Sequence, residues 1–280
     1  MRKESGARAG AEPRAEIGDL AEAEVGSFCK CLEDWSAEFD DEGGRKLAWY
    51  GRMREKGFRV KVAREEGKAV GMIQYGPAEL APIEGKGLYY VYCVWVHGYK
   101  EGVGNRQRRG LGKALLRAAE EDARALGAKG LAAWGLRLPF FMRSSWFKRQ
   151  GYEVADRDGM AELLVKRFEA GAEAPRFVRP GARPEAGHER VRVAAFVNGW
   201  CPAQNLVYER ARRAAEAFPG KAEFVGVETE DKARFLECGF SDALFIDGKA
   251  VRTGPPPSYE KILGLVEKRL RKRGLLGRGA

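Results

Sequence analysis

The sequence predicts an α/β protein of the α+β type, built from two domains of unequal size. Its 280 residues exceed the commonest size of a single domain. Residues 169–189 are rich in proline, glycine and alanine and show no apolar periodicity, which is typical of a linker. Strand and helix patterns alternate on both sides of this segment. We therefore expect a first domain over residues 14–168 and a smaller second domain over residues 190–273.

Short apolar runs define the strands of the first domain. Residues 58–63 and 69–75 are rich in β-forming residues, and the charged, glycine-containing segment between them suits a hairpin turn. Residues 88–96 are apolar or aromatic throughout, which predicts a central strand buried on both faces. The other predicted elements are a helix over residues 113–126 with Gly127 as its C-cap, a strand over 130–136, a helix that contains Trp146 and Phe147, and a strand that ends near Lys166.

The second domain repeats the strand and helix alternation on a smaller scale. A strand over residues 191–197 is followed by the turn G-W-C-P-A-Q at 199–204. The sequence then predicts an amphipathic helix over 205–217, strands over 223–227 and 243–246, a hairpin signal at Asp247-Gly248 and a final helix over 258–271.

Composition and charge narrow the classes of partner. The net charge of +10 favours an anionic partner such as a phosphate-bearing cofactor, and we rank nucleic acid below that. No apolar run reaches the roughly 18 residues of a membrane span, and we expect a cytoplasmic protein. The five cysteines lack the paired spacing of a zinc site, so we expect no metal. The oligomeric state is open.

A glycine-rich turn stands between the central strand and the helix that begins near residue 113. The first backbone N–H groups of a helix have no internal partners, so they are ready to bind an anion. Gly110 and Gly112 leave the backbone open to close approach by a phosphate. Positive charge around this turn comes from Arg106, Arg108, Arg109 and Lys113.

The pattern Gln-x-x-Gly-x-Gly at residues 107–112 resembles the acetyl-CoA pyrophosphate loop of the GNAT superfamily of N-acetyltransferases. The resemblance extends over about residues 20–168. It implies the GNAT acyl-CoA N-acyltransferase fold, acetyl-CoA as co-substrate, and two strands that splay apart, here residues 92–96 and 130–136. The implied cofactor-binding residues are Val94, Trp95 and Val96 on the strand and Gln107, Arg108, Arg109, Gly110, Leu111, Gly112 and Lys113 on the loop.

Acetyl transfer requires removal of a proton from the acceptor, because an unperturbed alkylamine is almost wholly protonated at neutral pH. His97, just past the central strand, is one candidate base, and Glu101 is the alternative. Tyr92 on the strand is a candidate proton relay through water. The GNAT superfamily often has a tyrosine on the later helix that protonates the departing thiolate, but Phe147 occupies the matching position here.

The second domain resembles a thioredoxin fold, with a Trp-Cys pair at a strand-to-helix turn. A cysteine at a helix N-terminus is expected to have a lowered pKa, which would make Cys201 a nucleophile. The second cysteine of the usual motif is replaced by Gln204, which excludes a C-x-x-C dithiol. Cys238 is left as a possible distant partner of Cys201. The pairing of the two domains resembles the YoaP-type acetyltransferases.

We therefore expect an N-acetyltransferase that moves an acetyl group from acetyl-CoA to a small-molecule or peptide amine by direct attack. The alternative is a CoA-binding scaffold or sensor joined to a thiol-dependent binding or redox module. The intact loop at residues 107–112 favours transfer, whereas Phe147 and Cys201 favour the alternative.

Overall fold

Two separate β-sheets, each with its own hydrophobic core, organise the chain. The structure is a computed structural model, and it describes residues 15–277 except 33–35, 37, 40–43, 139–140, 181 and 252–254. We call the chain around the first sheet, up to Arg167, the seven-stranded unit. The chain from Val191 onwards is the four-stranded unit. No helix in the described parts is long and apolar enough to cross a membrane.

The sheet of the seven-stranded unit has the strand order β1-β2-β3-β4-β5-β7-β6. Every neighbouring pair is antiparallel except β4 and β5, which run parallel. The strands are β1 Glu16–Asp19, β2 Arg59–Glu65, β3 Lys68–Pro77, β4 Tyr89–Val96, β5 Gly130–Leu136, β6 Glu153–Asp158 and β7 Ala161–Arg167. The helices are α1 Val25–Cys29, α2 Arg45–Glu55, α3 Leu111–Ala125 and α4 Ser144–Arg149.

Helices cover both faces of this sheet, so its central strands are buried on both sides. On one face, α1 and α2 bring Phe28 and Trp49 against Tyr92 of β4. On the other face, α3 and α4 bring Leu115 and Phe147 into the second core. Successive side chains of a strand point to opposite faces, which explains why β4 is apolar at nearly every position. We call these the α2 face and the α3 face.

The sheet of the four-stranded unit has the order β11-β10-β8-β9, with β8 and β9 parallel and the other pairs antiparallel. Helix α7 contributes a stripe of Ile262, Val266 and Leu270, spaced four residues apart, to the core against α5. The strands are β8 Val191–Val197, β9 Ala222–Glu228, β10 Ala243–Ile246 and β11 Lys249–Ala250, and the helices are α5 Pro202–Glu216, α6 Lys232–Cys238 and α7 Tyr259–Lys272.

Most predicted elements are confirmed, and several were missed. Helix α5 begins at Pro202, three residues before the predicted start, because proline is tolerated in the first helical turn. Gly127 follows α3 with a φ of 79°, as a C-terminal glycine should. The sequence did not predict β1, α1, α2, β6, α6 or β11.

The segment predicted as a linker lies along the seven-stranded unit over much of its described length. Arg176 pairs with Glu84 in an isolated bridge. The Phe177 amide donates to the Asp156 carboxylate at 2.8 Å, and Arg179 pairs with the same carboxylate at 2.9 Å. These contacts fix the path by which the chain reaches the second sheet.

Gly135 allows α4 to start directly against β5, and this contact gives a test of the packing. A Cβ at this position would lie 2.8 Å from the Ser144 Cα and 3.0 Å from the Met142 carbonyl oxygen. We expect Gly135→Ala to destabilise the protein by roughly 1–3 kcal/mol, because backbone atoms would have to shift. Gly51→Ala, at an exposed and open position of α2, should instead stabilise it by about 0.5–1 kcal/mol. Denaturant unfolding of both variants checks the pair, and equal stability of Gly135→Ala and the parent would contradict it.

Candidate active site

Strands β4 and β5 are paired over only three residues, and then they separate. The paired positions run from Tyr89 opposite Leu131 to Val91 opposite Ala133. On its other edge β4 stays paired with β3 as far as Val96, with a bulge at Tyr92. The backbone from Tyr92 to Val96 therefore faces an opening where β5 would otherwise lie. The splayed pair expected from the sequence is present.

One aromatic side chain lies across this opening. The Trp134 Nε1 atom donates to the Tyr92 carbonyl oxygen at 2.8 Å, so the indole of β5 bridges to β4 just past the last paired residues. Further along, the Gln107 side chain donates to the Val96 carbonyl oxygen at 3.3 Å. The two ends of the open segment are thus held by side chains rather than by a neighbouring strand.

The glycine-rich turn leads directly into α3, as predicted. Arg108 and Gly110 both have positive φ, 63° and 83°, and Gly110 is the N-cap of the helix. The first N–H groups of α3, from Leu111, Gly112 and Lys113, have no acceptor within the helix. Because α3 has 15 residues, its dipole adds to the attraction for an anion at this end.

The four predicted cations of the turn are not equivalent. Glu65, whose side chain is only 6% exposed, pairs with Arg106 at 3.2 Å and with Arg109 at 3.0 Å. Its carboxylate cancels one of the two positive charges and holds both guanidinium groups beside the turn. Arg108 and Lys113 are exposed. The turn therefore keeps a net positive charge, and the two guanidinium groups paired with Glu65 are held in position before any ligand binds.

His97 and Glu101 lie on the long connection between β4 and α3. His97 is 4% exposed, and its backbone accepts from the Arg106 amide at 2.9 Å, which closes the connection into a loop. Glu101 is exposed. His97 lies five residues beyond Tyr92, on the order of 16 Å along an extended strand. The structure thus puts these two candidate bases at the outer end of the opening.

Tyr92 lies at the inner end of the opening, on the α2 face. Its ring is 1% exposed and packs edge-on against Trp49 at 5.7 Å and Phe58 at 5.4 Å. The hydroxyl has no hydrogen-bond partner among the described residues. Burial raises the pKa of Tyr92, so the phenol remains protonated at neutral pH. It can donate or relay a proton, but it is not a phenolate base.

Phe147 is fully buried in the core of the α3 face, as part of α4. The nearest tyrosine along the chain, Tyr152, packs against it with ring centroids 5.5 Å apart. Burial raises the pKa of Tyr152, and Glu120 lies beside its hydroxyl. Both rings are core residues, so the structure supplies no replacement at this position for the tyrosine of the GNAT resemblance.

The four-stranded unit packs onto the α2 face through a buried lysine. Lys46 of α2 has no exposed surface, and its amine donates to the Gln74 side chain at 2.7 Å and to the Trp200 carbonyl oxygen. It also lies 4.5 Å from the Phe28 ring centroid. Burial lowers the pKa of Lys46. The Trp200 ring covers Tyr92 at 5.8 Å, so the second unit closes the inner end of the opening.

Exposed and half-buried ion pairs surround this contact. Arg45 pairs with Glu228 at 2.7 Å, and Arg52 pairs with Glu230. On α6, the Lys232 amine donates to the carbonyl oxygens of Ala81, at 2.6 Å, and of Ile83. These contacts join α2 and the β3–β4 connection to the second sheet.

Sequence reasoning missed Lys46 and Trp134. Lys46 follows Arg45 in a charged stretch and has the appearance of a surface residue. Its only signal was the spacing of Lys46, Trp49 and Met53, which marks one buried stripe once α2 is recognised. Trp134 stood in a predicted strand, but nothing in the sequence indicated a side chain crossing between strands.

The lowered pKa predicted for Cys201 is wrong. Cys201 is the N-cap of α5, and the amides of Gln204 and Ala203 favour its thiolate. Burial, together with the nearby Asp242 carboxylate, outweighs them and raises the pKa of Cys201 to about 11. The thiols of Cys29, Cys31 and Cys93 also lie near enough to Lys46 to interact with it electrostatically. All five cysteines are free, so Cys201 and Cys238 form no disulfide.

Thiol chemistry provides a direct test of this environment. We expect iodoacetamide to modify Cys201 much more slowly than Cys238 at pH 8, because only the thiolate reacts. The rate at Cys201 should rise about 10-fold per pH unit between pH 8 and 10, as its thiolate fraction grows. Peptide mass spectrometry measures both rates, and the unfolded chain serves as the control. Fast modification of Cys201 at pH 7 would restore the original expectation of a nucleophile.

Comparison with known proteins gives a family match within the seven-stranded unit. Residues 25–152 match the family model described as "Acetyltransferase (GNAT) family". No curated protein matches the chain.

Solved structures of acetyltransferases also resemble part of the chain at low sequence identity. An acetyltransferase of Brucella melitensis in complex with acetyl-CoA is 20% identical, with 56% of this chain and 90% of that chain covered and a TM-score of 0.39. The PaiA N-acetyltransferase of Thermoplasma acidophilum in complex with coenzyme A is 15% identical, with 55% and 99% covered and a TM-score of 0.41. The family match includes β4, the glycine-rich turn and α4. Residues 25–152, somewhat less than half of the chain, are therefore similar to the acetyltransferase (GNAT) family.

Proposed function

We propose that this protein is an N-acetyltransferase that moves the acetyl group of acetyl-CoA to a primary amine by direct attack. The observation that carries the proposal is the opening between β4 and β5 beside the positively charged start of α3. An extended thioester needs a slot of this kind, and its diphosphate needs an anion site at one end of the slot.

The residues of the turn and of β4 suit acetyl-CoA. The diphosphate would accept hydrogen bonds from the amides of Leu111, Gly112 and Lys113. Arg108 and the two arginines that pair with Glu65 would lie around it. A side chain at Gly110 would meet nothing in the protein, so the space in front of the turn is free. Strand β5 pairs with none of Val94, Trp95 and Val96, so their backbone edge can pair with the amides of the pantetheine arm, where the Gln107 side chain now bonds the Val96 carbonyl oxygen.

In the reaction, the amine nitrogen forms a bond to the acetyl carbonyl carbon and the carbon–sulfur bond breaks. The amine loses a proton to a base, and the departing thiolate takes up a proton. Tyr92 is the candidate closest to the inner end of the opening, and its protonated hydroxyl suits a relay or a donor. His97 and Glu101 are the candidates at the outer end. Cys201 is assigned a structural part in the closed contact, since its thiol stays protonated.

We further propose that the two sheet units are separate domains over residues 14–168 and 190–273, joined by 169–189, and that the second is thioredoxin-like, as in YoaP-type enzymes. The strand order β11-β10-β8-β9, with only β8 and β9 parallel, supports this proposal. So does the position of Cys201 between β8 and α5. The second domain would shape the acceptor side, because Trp200 covers Tyr92.

The alternative is a protein that binds CoA without transferring acetyl groups. Phe147 favours it, because the phenyl ring cannot protonate a thiolate. The two functions separate cleanly in one experiment, since both predict binding of acetyl-CoA and only the first predicts release of free CoA with an amine acceptor.

Gly112 tests the anion site. Gly112→Ala should fold normally, because the nearest protein atom to the new Cβ is a Trp146 carbon at an ordinary 3.5 Å. A helical Cβ points toward the N-terminus, so it would intrude where the diphosphate approaches. Loss of one charge-assisted hydrogen bond predicts about 10- to 100-fold weaker CoA binding by calorimetry. Gly264→Ala in α7, also in open space, is the matched control. Unchanged affinity of Gly112→Ala would reject this site.

Tyr92→Phe tests the proton relay. The substitution removes a buried hydroxyl that has no partner among the described residues, so it should not lower stability. We expect kcat to fall about 10- to 1000-fold with the KM for acetyl-CoA unchanged, which is the range for a lost proton transfer. His97→Gln and Glu101→Gln, measured in parallel over pH 6–9, assign the base. If Tyr92→Phe keeps the parent's kcat across that range, the hydroxyl takes no part.

A further inference from the structure

Among the described residues, four aromatic rings lie close together where the opening between β4 and β5 meets the surface. Trp95 of β4 lies 6.3 Å from Tyr99 and 6.1 Å from Phe141, and Trp134 of β5 lies 6.1 Å from Phe141. Tyr99 is 55% exposed and Phe141 is 40% exposed. These rings come from two strands and two connections, so the fold rather than one sequence run brings them together. We call them the aromatic rim.

Trp95 of the aromatic rim lies on the side from which an acceptor must come. Val94 and Val96 pack on the α3 face, the side of the helix whose first turn would hold the diphosphate. Trp95 packs on the opposite α2 face, together with Tyr92. A nucleophile reaching the thioester carbon has to approach from the face that CoA does not occupy. That face is the one on which Trp95 of the aromatic rim packs.

Because the four-stranded unit covers the inner end of the opening, the aromatic rim is the entrance for an acceptor on the α2 face. Trp200 lies over Tyr92, and Lys46 ties the Trp200 carbonyl to α2, so the inner end of the opening is covered. The exposed rings of Tyr99 and Phe141 lie at the outer end. An acceptor therefore passes over the aromatic rim on its way to the thioester.

The chemistry of the aromatic rim indicates which kind of group the acceptor amine is attached to. Aromatic pairs prefer tilted or edge-on contacts with centroids 4.5–7 Å apart, so a further ring can extend a cluster of this spacing. Ring faces also attract an alkylammonium group. The protein's net charge of +10 disfavours polycationic acceptors such as polyamines. Together these features favour a single amine carried on a flat aromatic group.

We propose that the aromatic rim of Trp95, Tyr99, Trp134 and Phe141 selects acceptors whose primary amine is attached to an aromatic ring system by a short alkyl chain. This inference rests on the proposed acetyl transfer, because the acceptor is defined by that reaction.

The test compares two amines with the same carbon skeleton, phenethylamine and 2-cyclohexylethylamine. Each is titrated calorimetrically into the full-length protein in the presence of CoA. We expect phenethylamine to bind about 3- to 10-fold more tightly, the size of one aromatic contact. Tyr99→Ala and Phe141→Ala, at exposed positions, should remove this preference and leave the affinity for CoA unchanged. Leu126→Ala, a 44% exposed residue next to the C-terminal end of α3, is the matched control.

Equal binding of the two amines, or a preference that survives both ring substitutions, would overturn the proposal. Failure of the proposed function has a different signature, since it would appear as absent release of CoA from acetyl-CoA with every acceptor. If release occurs only with non-aromatic amines, acetyl transfer stands and the aromatic rim has no selective role.

Discussion

The early separation of β4 from β5 is the constraint on which the site depends. A strand in the middle of a sheet normally satisfies its backbone on both edges. Here β4 keeps its pairing with β3 but loses β5 after three positions, so its backbone from Tyr92 to Val96 has no strand partner on that edge, and side chains bond two of its carbonyl oxygens. The bulge at Tyr92 falls at the same level. The start of α3 and the inner end of the opening are positioned by this one departure from regular pairing.

The contact between the two units sets the other side of the site. Burying an amine is expensive, and the contacts that compensate for it at Lys46 include the Gln74 oxygen, the Trp200 carbonyl and the ring of Phe28. Each of these partners comes from a different element. The lysine therefore stabilises the contact between the two units only when α2, β3 and the β8–α5 turn are all in place. The contact thus requires one specific arrangement of the two units.

The sequence was sufficient for the parts of the fold that follow local rules. The apolar run of β4, the glycine-rich turn and the amphipathic stripe of α3 each specify their own structure. It was insufficient where tertiary contacts decide. Lys46 is charged and lies in a charged stretch, so only the packed structure shows that it is buried. Cys201 does lie at a helix N-terminus, yet burial and the Asp242 carboxylate, which is distant in sequence, raise its pKa to about 11. The path of the Trp134 indole across two strands has no signature in sequence periodicity.

The contact between Trp200 and Lys46 also limits whether the two units can be separated or combined with units of other proteins. A fragment that ends before β8 would put the rings of Trp49 and Tyr92 in contact with water and would rehydrate the Lys46 amine, whose pKa would return toward that of an ordinary lysine. The seven-stranded unit therefore cannot be exchanged independently of the four-stranded unit. Substitutions on α2 and in the turn before α5 should occur together in related sequences, because a change on either side alters the solvation of the Lys46 amine.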